Sequence, residues 1–120
     1  MEHRIEIQNK GDYLLVDYTG DFTLEGAKEC IDRFVDACEE QKCTKVILDT
    51  RKMTGRLGIM DRYKMGRYAI KTKFLKIRTA MIGTKIYVLP DRFLENVATN
   101  LGVDVKVFLD PDEAVEWLRS

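Results

Sequence analysis

Polar and apolar residues alternate from the first residues of the chain. Ile5 and Ile7 are set between charged or amide side chains over residues 3–8, the pattern of a half-buried strand. Asn9-Lys10-Gly11-Asp12 carries turn chemistry, and residues 13–19 form a second strand, so the pair is expected to be a hairpin that Gly20-Asp21 ends. The period then changes. Leu24, Ala27, Ile31, Phe34 and Cys38 recur every three or four residues, which predicts a helix capped by Thr23 and running to about residue 41. Its opposite face bears Glu25, Glu29, Asp32, Arg33, Asp36, Glu39 and Glu40. Residues 45–50 enclose the unbroken apolar run Val46-Ile47-Leu48, the mark of a central strand covered on both faces. Residues 59–73 suit a helix with Ile59, Tyr63, Gly66 and Ile70 along one side. Residues 77–82 suit a strand ended by Gly83-Thr84. A helix from Pro90 or Asp91 passes through Phe93, Leu94, Val97 and Leu101 to a C-terminal Gly102. A strand follows at 103–109, and Asp110 and Pro111 cap and open a last helix docked by Ala114, Val115, Trp117 and Leu118. The order ββαβαβαβα predicts an α/β fold in which a mainly parallel sheet has helices packed against it, with residues 1–120 as a single domain.

At 120 residues, 45% hydrophobic and 33% charged, the chain has the composition of a soluble globular domain able to bury its own core. Its apolar runs are too short for a transmembrane segment. Met1-Glu2-His3-Arg4 leads straight into the strand pattern, so no signal peptide is expected and the location expected is cytoplasmic. Cys30 and Cys38 stand eight residues apart on one helix, about 12 Å, beyond the roughly 7 Å a disulfide spans. Nothing in the spacing brings Cys43 to either, so three reduced thiols are expected. With one histidine and no Cys-x-x-Cys, neither a zinc site nor another metal or cofactor is expected.

Net charge is zero but unevenly spread. Residues 51–78 hold ten Lys/Arg and one acid, Asp61, whereas residues 1–50 hold six basic and twelve acidic side chains. Such a basic segment either seeks an anionic partner or answers the acidic helix of its own domain. Its first part, the polar turn at 50–58, follows the end of the central strand, where ligands of α/β sheets commonly bind. Asp49 would be a functional carboxylate there, or an acceptor for the amides that follow. Free amides at the helix N-terminus after Thr54-Gly55-Arg56-Leu57-Gly58, with Arg51, Arg56 and Arg62, would suit an anion. No nucleotide-binding, nucleophile-elbow or metalloprotease pattern occurs. Tyr63, Arg67, Tyr68 and Lys71 interleave aromatic and basic groups, but zero net charge does not favour nucleic acid.

Several stretches together resemble the STAS domain of bacterial anti-sigma-factor antagonists. They are Gly20-Asp21-Phe22-Thr23-Leu24 ahead of an amphipathic helix, Val46-Ile47-Leu48-Asp49 followed by Met53-Thr54, and Phe108-Leu109-Asp110-Pro111-Asp112-Glu113-Ala114 with Trp117-Leu118. Leu48-Asp49-Thr50-Arg51, Thr54-Gly55 and Asp61-Arg62-Tyr63 are similar to the SpoIIAA-like branch, often grouped with the CRAL-TRIO lipid-carrier fold. The resemblance implies a STAS-like fold and a regulatory, protein-binding role. Phosphorylated members carry an Asp-Ser pair at the start of the second helix. This chain reads Thr54-Gly55-Arg56-Leu57-Gly58 there, and its only serine is Ser120. Thr50 and Thr54 are the only hydroxyls near the turn, so a phosphoserine switch is not expected.

The expected function is therefore a non-enzymatic regulatory or protein-interaction module. It would bind a protein partner, or a second copy of itself, through Asp49, Thr50, Arg51, Thr54, Gly55, Arg56, Gly58 and Arg62. The alternative is a carrier or sensor of a small lipid-like or anionic ligand, in a pocket beneath Ile59, Tyr63 and Ile70.

Overall fold

In the computed structural model, which describes residues 2–55, 57–84, 96 and 99–120, strand β1 (His3–Asn9) pairs antiparallel with β2 (Leu14–Asp21). The expected hairpin turn joins them. Lys10 donates its amide to the Tyr13 carbonyl at 2.9 Å, and Gly11 takes φ 98° while donating to the Asn9 side chain at 2.7 Å. β2 pairs parallel with β3 (Lys45–Thr54), β3 with β4 (Arg78–Ile82), and β4 with β5 (Asp104–Phe108). The strands lie in the order β1-β2-β3-β4-β5, so the apolar run of β3 is central as its composition predicts.

Helix α1 (Leu24–Gln41) leaves β2 through the expected cap, Thr23 Oγ1 accepting the Gly26 amide at 3.0 Å. It packs on β1 and β2 and against α2 (Ile59–Tyr68). The last helix, α4 (Pro111–Arg119), is capped by Asp110 accepting the Asp112 amide at 2.9 Å and packs on β3, β4 and β5. Alternation along the strands divides the core accordingly. Leu14, Val16, Tyr18, Val46, Leu48, Met81 and Val107 lie with α1 and α2 on one face. Ile47, Ala80 and Ile82 lie with Ala114 and Leu118 on the other.

Three local features depart from expectation. β3 does not stop at Thr50 but continues to Thr54 beside β2, through a register shift opposite Asp17–Thr19, so residues 51–54 belong to the strand and not to the turn. The expected helix 59–73 is broken at Ala69, and a short α3 (Ile70–Phe74) follows. The break coincides with Thr72, a buried residue whose hydroxyl donates to the Ala69 carbonyl at 2.7 Å and competes for the backbone there. Third, β2 runs on through Gly20 to Asp21. α1 ends at Gln41, as expected, and does so without a glycine: Lys42 adopts φ 54°, and the Cys43 amide turns back to the Cys38 carbonyl at 3.0 Å. The predicted helix through Phe93, Leu94 and Val97 lies outside the described residues. At its expected end, Gly102 has φ 86° and donates its amide to Thr99 at 2.9 Å, as a C-terminal glycine does.

Candidate functional site

β4 pairs with β3 only as far as Ile82 opposite Asp49, so residues 50–54 of β3 project past it, bonded to β2. Successive side chains there point to opposite faces, and this decides which of them reach the surface. Thr50 points inward. It is 2% exposed and its hydroxyl donates to the Ile82 carbonyl at 2.8 Å, so the expectation that it meets a partner is corrected: it ties β3 to the end of β4. Asp49 and Arg51 share the outer face and form a fork, with Nε to Oδ1 at 3.0 Å and Nη2 to Oδ2 at 2.7 Å. The Arg51 amide adds a third bond to Oδ1 at 3.0 Å. Burial pushes the Asp49 carboxyl up, but the Arg51 side chain and amide, with Lys52, outweigh it and hold the group below its ordinary value. Asp17 is the register partner of Asp49 and adds to the field that raises the Arg51 pKa, after the hydrogen bonds to Asp49. The guanidinium is thus already engaged by carboxylates.

Beyond the strand, the Thr54 hydroxyl donates to Asp21 Oδ1 at 2.7 Å. A phosphate on Thr54 would face that carboxylate as well as the nearby cations. Gly55 holds φ 75°, a positive value that glycine adopts without the Cβ penalty of other residues, and Gly58 caps α2 without a side chain. Arg62 reaches back along its helix, Nε donating to the Leu57 carbonyl at 2.8 Å, and so buttresses the turn. Arg56 lies outside the described residues. Asp49, Arg51, Thr54 and Gly55 therefore lie along the end of β3 and Gly58 and Arg62 at the start of α2, with Thr50 beneath the strand.

α2 presents to solvent the side that was expected to cover a pocket. Ile59 is 65% exposed and Tyr63 44%, while Ile70 is half-buried. Met60, 69% exposed, stands beside them, and Arg67 reaches the Tyr63 hydroxyl at 3.4 Å. Of that expected side Gly66 is buried, together with Met65 beside it and Thr72 of α3. Beneath it lies a cavity of about 40 Å³ bounded by Ile31, Phe34, Leu48, Met65, Met81 and Val105, and none of Ile59, Tyr63 and Ile70 lines it. Such a space is of the order of a water or two, whereas small-molecule pockets run to roughly 300 Å³ or more.

Part of the basic segment is answered within the molecule. Asp32 of α1 accepts Lys71 Nζ at 2.6 Å and the Tyr68 hydroxyl at 2.7 Å, and these two bonds, Lys71's first, hold its carboxyl below the ordinary range. Lys71 also lies 4.0 Å from the Tyr68 ring centroid. Lys64, Arg67, Lys73 and Lys76 remain exposed. His3, read from the sequence as a surface residue with no obvious partner, stacks on Tyr18 with centroids 5.5 Å apart and lies 3.4 Å from Glu29. The pairing across β1, β2 and α1 carries no local sequence signal. Among the described residues, no group of three or more His, Cys, Asp or Glu side chains is placed to hold a metal ion. None of their helices is long and apolar enough to cross a membrane.

No protein-family profile matches this chain. No curated protein matches it either. Solved structures do. An uncharacterised DUF3478-family protein with a SpoIIAA-like fold from Shewanella loihica PV-4 aligns at TM-score 0.60 and 20% identity, over 97% of this chain and 93% of that one. An anti-sigma factor antagonist from Mycobacterium paratuberculosis aligns at TM-score 0.67 and 10% identity, over 99% and 96%. SpoIIAA in its unphosphorylated form aligns at TM-score 0.57 and 10% identity, over 99% of each chain. At these identities the likeness is one of architecture, and on that ground the chain has the SpoIIAA-like, STAS-type fold.

Proposed function

We propose that this chain is a non-enzymatic regulatory module of STAS type that binds a protein partner through the turn at 55–58 and the outer face of α2. The observation that carries this reading is the exposure of Ile59, Met60 and Tyr63 together, beside Lys64 and Arg67, at the helix that follows the central strand. Large apolar side chains clustered at a surface and rimmed by cations suit a protein contact whose centre is apolar and whose edge is acidic. Two of the solved structures with this fold are anti-sigma factor antagonists, whose name implies a protein partner, which supports the same reading. The carrier or sensor of a small lipid-like ligand has less support, because the cavity under α2 has little room.

Affinity capture from the source cells tests the proposal, comparing the wild type with the double variant Met60→Asp, Lys64→Glu. Both positions are exposed, so the variant should fold, as circular dichroism would check. We expect it to lose a captured protein that the wild type retains, a drop of at least tenfold in recovery. Equal recovery by both proteins would overturn the assignment of this face.

A further inference from the structure

We propose that Cys38 and Cys43 form a dithiol site that closes to an intramolecular disulfide when exposed to a peroxide. The spacing of five residues would keep two cysteines apart on a continuous helix, but α1 does not continue. The left-handed residue Lys42 reverses the chain, and the Cys43 amide donates to the Cys38 carbonyl at 3.0 Å. That bond and standard backbone dimensions hold the two Cα atoms within about 7 Å, at the outer edge of disulfide reach. In this reversal the side chains of the two bonded residues tend to pack together. Accordingly both cysteines line one open surface pocket of about 260 Å³, with Lys42, Leu75 and Ile77. Cys30 is excluded: it is buried and stands eight residues before Cys38, about 12 Å along the helix.

The two thiols differ in a way that assigns their order. Cys43 is the more exposed, is flanked in sequence by Lys42 and Lys45 with a threonine between, and has Sγ 3.5 Å from the Lys45 carbonyl oxygen. Cys38 is 4% exposed, and burial, with Cys43 and Glu39 beside it, pushes its thiol up to about 12. Cys43 therefore reacts first. Its sulfur attacks one peroxide oxygen and the O–O bond breaks. The leaving oxygen departs as water, and Cys43 becomes a sulfenic acid. The Cys38 sulfur then attacks the Cys43 sulfur, the S–O bond breaks, and the hydroxyl leaves with the Cys38 proton as a second water. Two thiols are oxidised and one hydrogen peroxide is reduced to two waters.

The test uses the native full chain treated with hydrogen peroxide, alkylated with N-ethylmaleimide in denaturant and digested with trypsin without reductant. Lys42 places the cysteines in separate peptides, 34–42 and 43–45. The expected result is these two peptides joined, Cys30 alkylated, an intact mass lighter by two hydrogens before alkylation, and reversal by dithiothreitol. The Cys38→Ser variant should instead carry Cys43 onward to the sulfinic acid. Three alkylated cysteines, a link through Cys30, a link between two chains, or sulfinic acid at Cys43 of the wild type would each overturn the proposal. The site lies before the first residue of β3, a strand length of roughly 30 Å from the turn at 55–58. Its failure would therefore leave the partner-binding reading untouched.

Discussion

Gly26 is buried where α1 crosses β2, and a Cβ on it would collide with the Tyr18 hydroxyl, which donates to the Asp21 carbonyl at 2.6 Å. Gly26→Ala should therefore destabilise by on the order of 1–3 kcal/mol, and Tyr18→Phe by about 1 kcal/mol. The double variant should cost less than their sum, because removing the hydroxyl removes the collision; additive urea-denaturation free energies would contradict this packing. The Asp49–Arg51 fork makes a prediction of a different kind. Since the folded carboxyl titrates below its unfolded value of about 3.9, its stabilisation is complete above that pH and fades as pH falls through the folded value. With Arg51 half-exposed, Asp49→Asn should cost only about 1 kcal/mol at pH 7. The gap from wild type should narrow as pH falls below the unfolded value, and a gap independent of pH would refute the ionic account. The fork was within reach of the sequence, since residues 49 and 51 share a strand face. The reading missed it by ending the strand at Thr50.

At the scale of elements, the helix starts were legible because caps are local: Thr23 and Asp110 each satisfy an amide two or three residues on. The end of α1 at Gln41 was read with no glycine to mark it, whereas the break at Ala69 was not foreseen. Lys42 and Lys76 both adopt left-handed backbone, φ 54° and 56°, which costs a side-chain-bearing residue about 1–2 kcal/mol. Lys42→Gly and Lys76→Gly should each raise stability by up to about 1 kcal/mol, visible as a higher urea midpoint; a lower midpoint would show that the lysine side chains stabilise these turns. The orientation of α2 was misread as well. Its apolar residues run around the whole helix, and the side that packs inward holds Gly66, a residue with almost no hydrophobic signal, next to Met65. Periodicity chose Ile59, Tyr63, Gly66 and Ile70, of which the fold leaves Ile59 and Tyr63 outside, buries Gly66 and half-buries Ile70.

At the scale of the whole molecule, the sequential strand order follows from connections that all step the same way across the sheet. Such steps keep α1 and α2 on one face and leave the other to α4. The element order and the mainly parallel sheet were legible, because each element was marked by its own period; the strand order, the face each helix takes, and the placement of Cys43 beside Cys38, of His3 on Tyr18 and of Asp32 under Lys71 were not, because each depends on where distant or reversed backbone comes to rest. Leu118 is 1% exposed in the layer that α4 closes, so Leu118→Ala should cost about 2–5 kcal/mol. Trp117, on the same helix, should report that loss by fluorescence together with far-ultraviolet dichroism in a single transition; separated midpoints would mean that α4 comes away before the sheet. The same layer has a consequence for biosynthesis. Ile47, Ala80 and Ile82 are made well before residues 111–119, so a growing chain presents an uncovered apolar sheet face until α4 leaves the ribosome. A chain stalled short of residue 111 is thus a natural client for chaperones, and the risk of aggregation falls in the interval before α4 arrives.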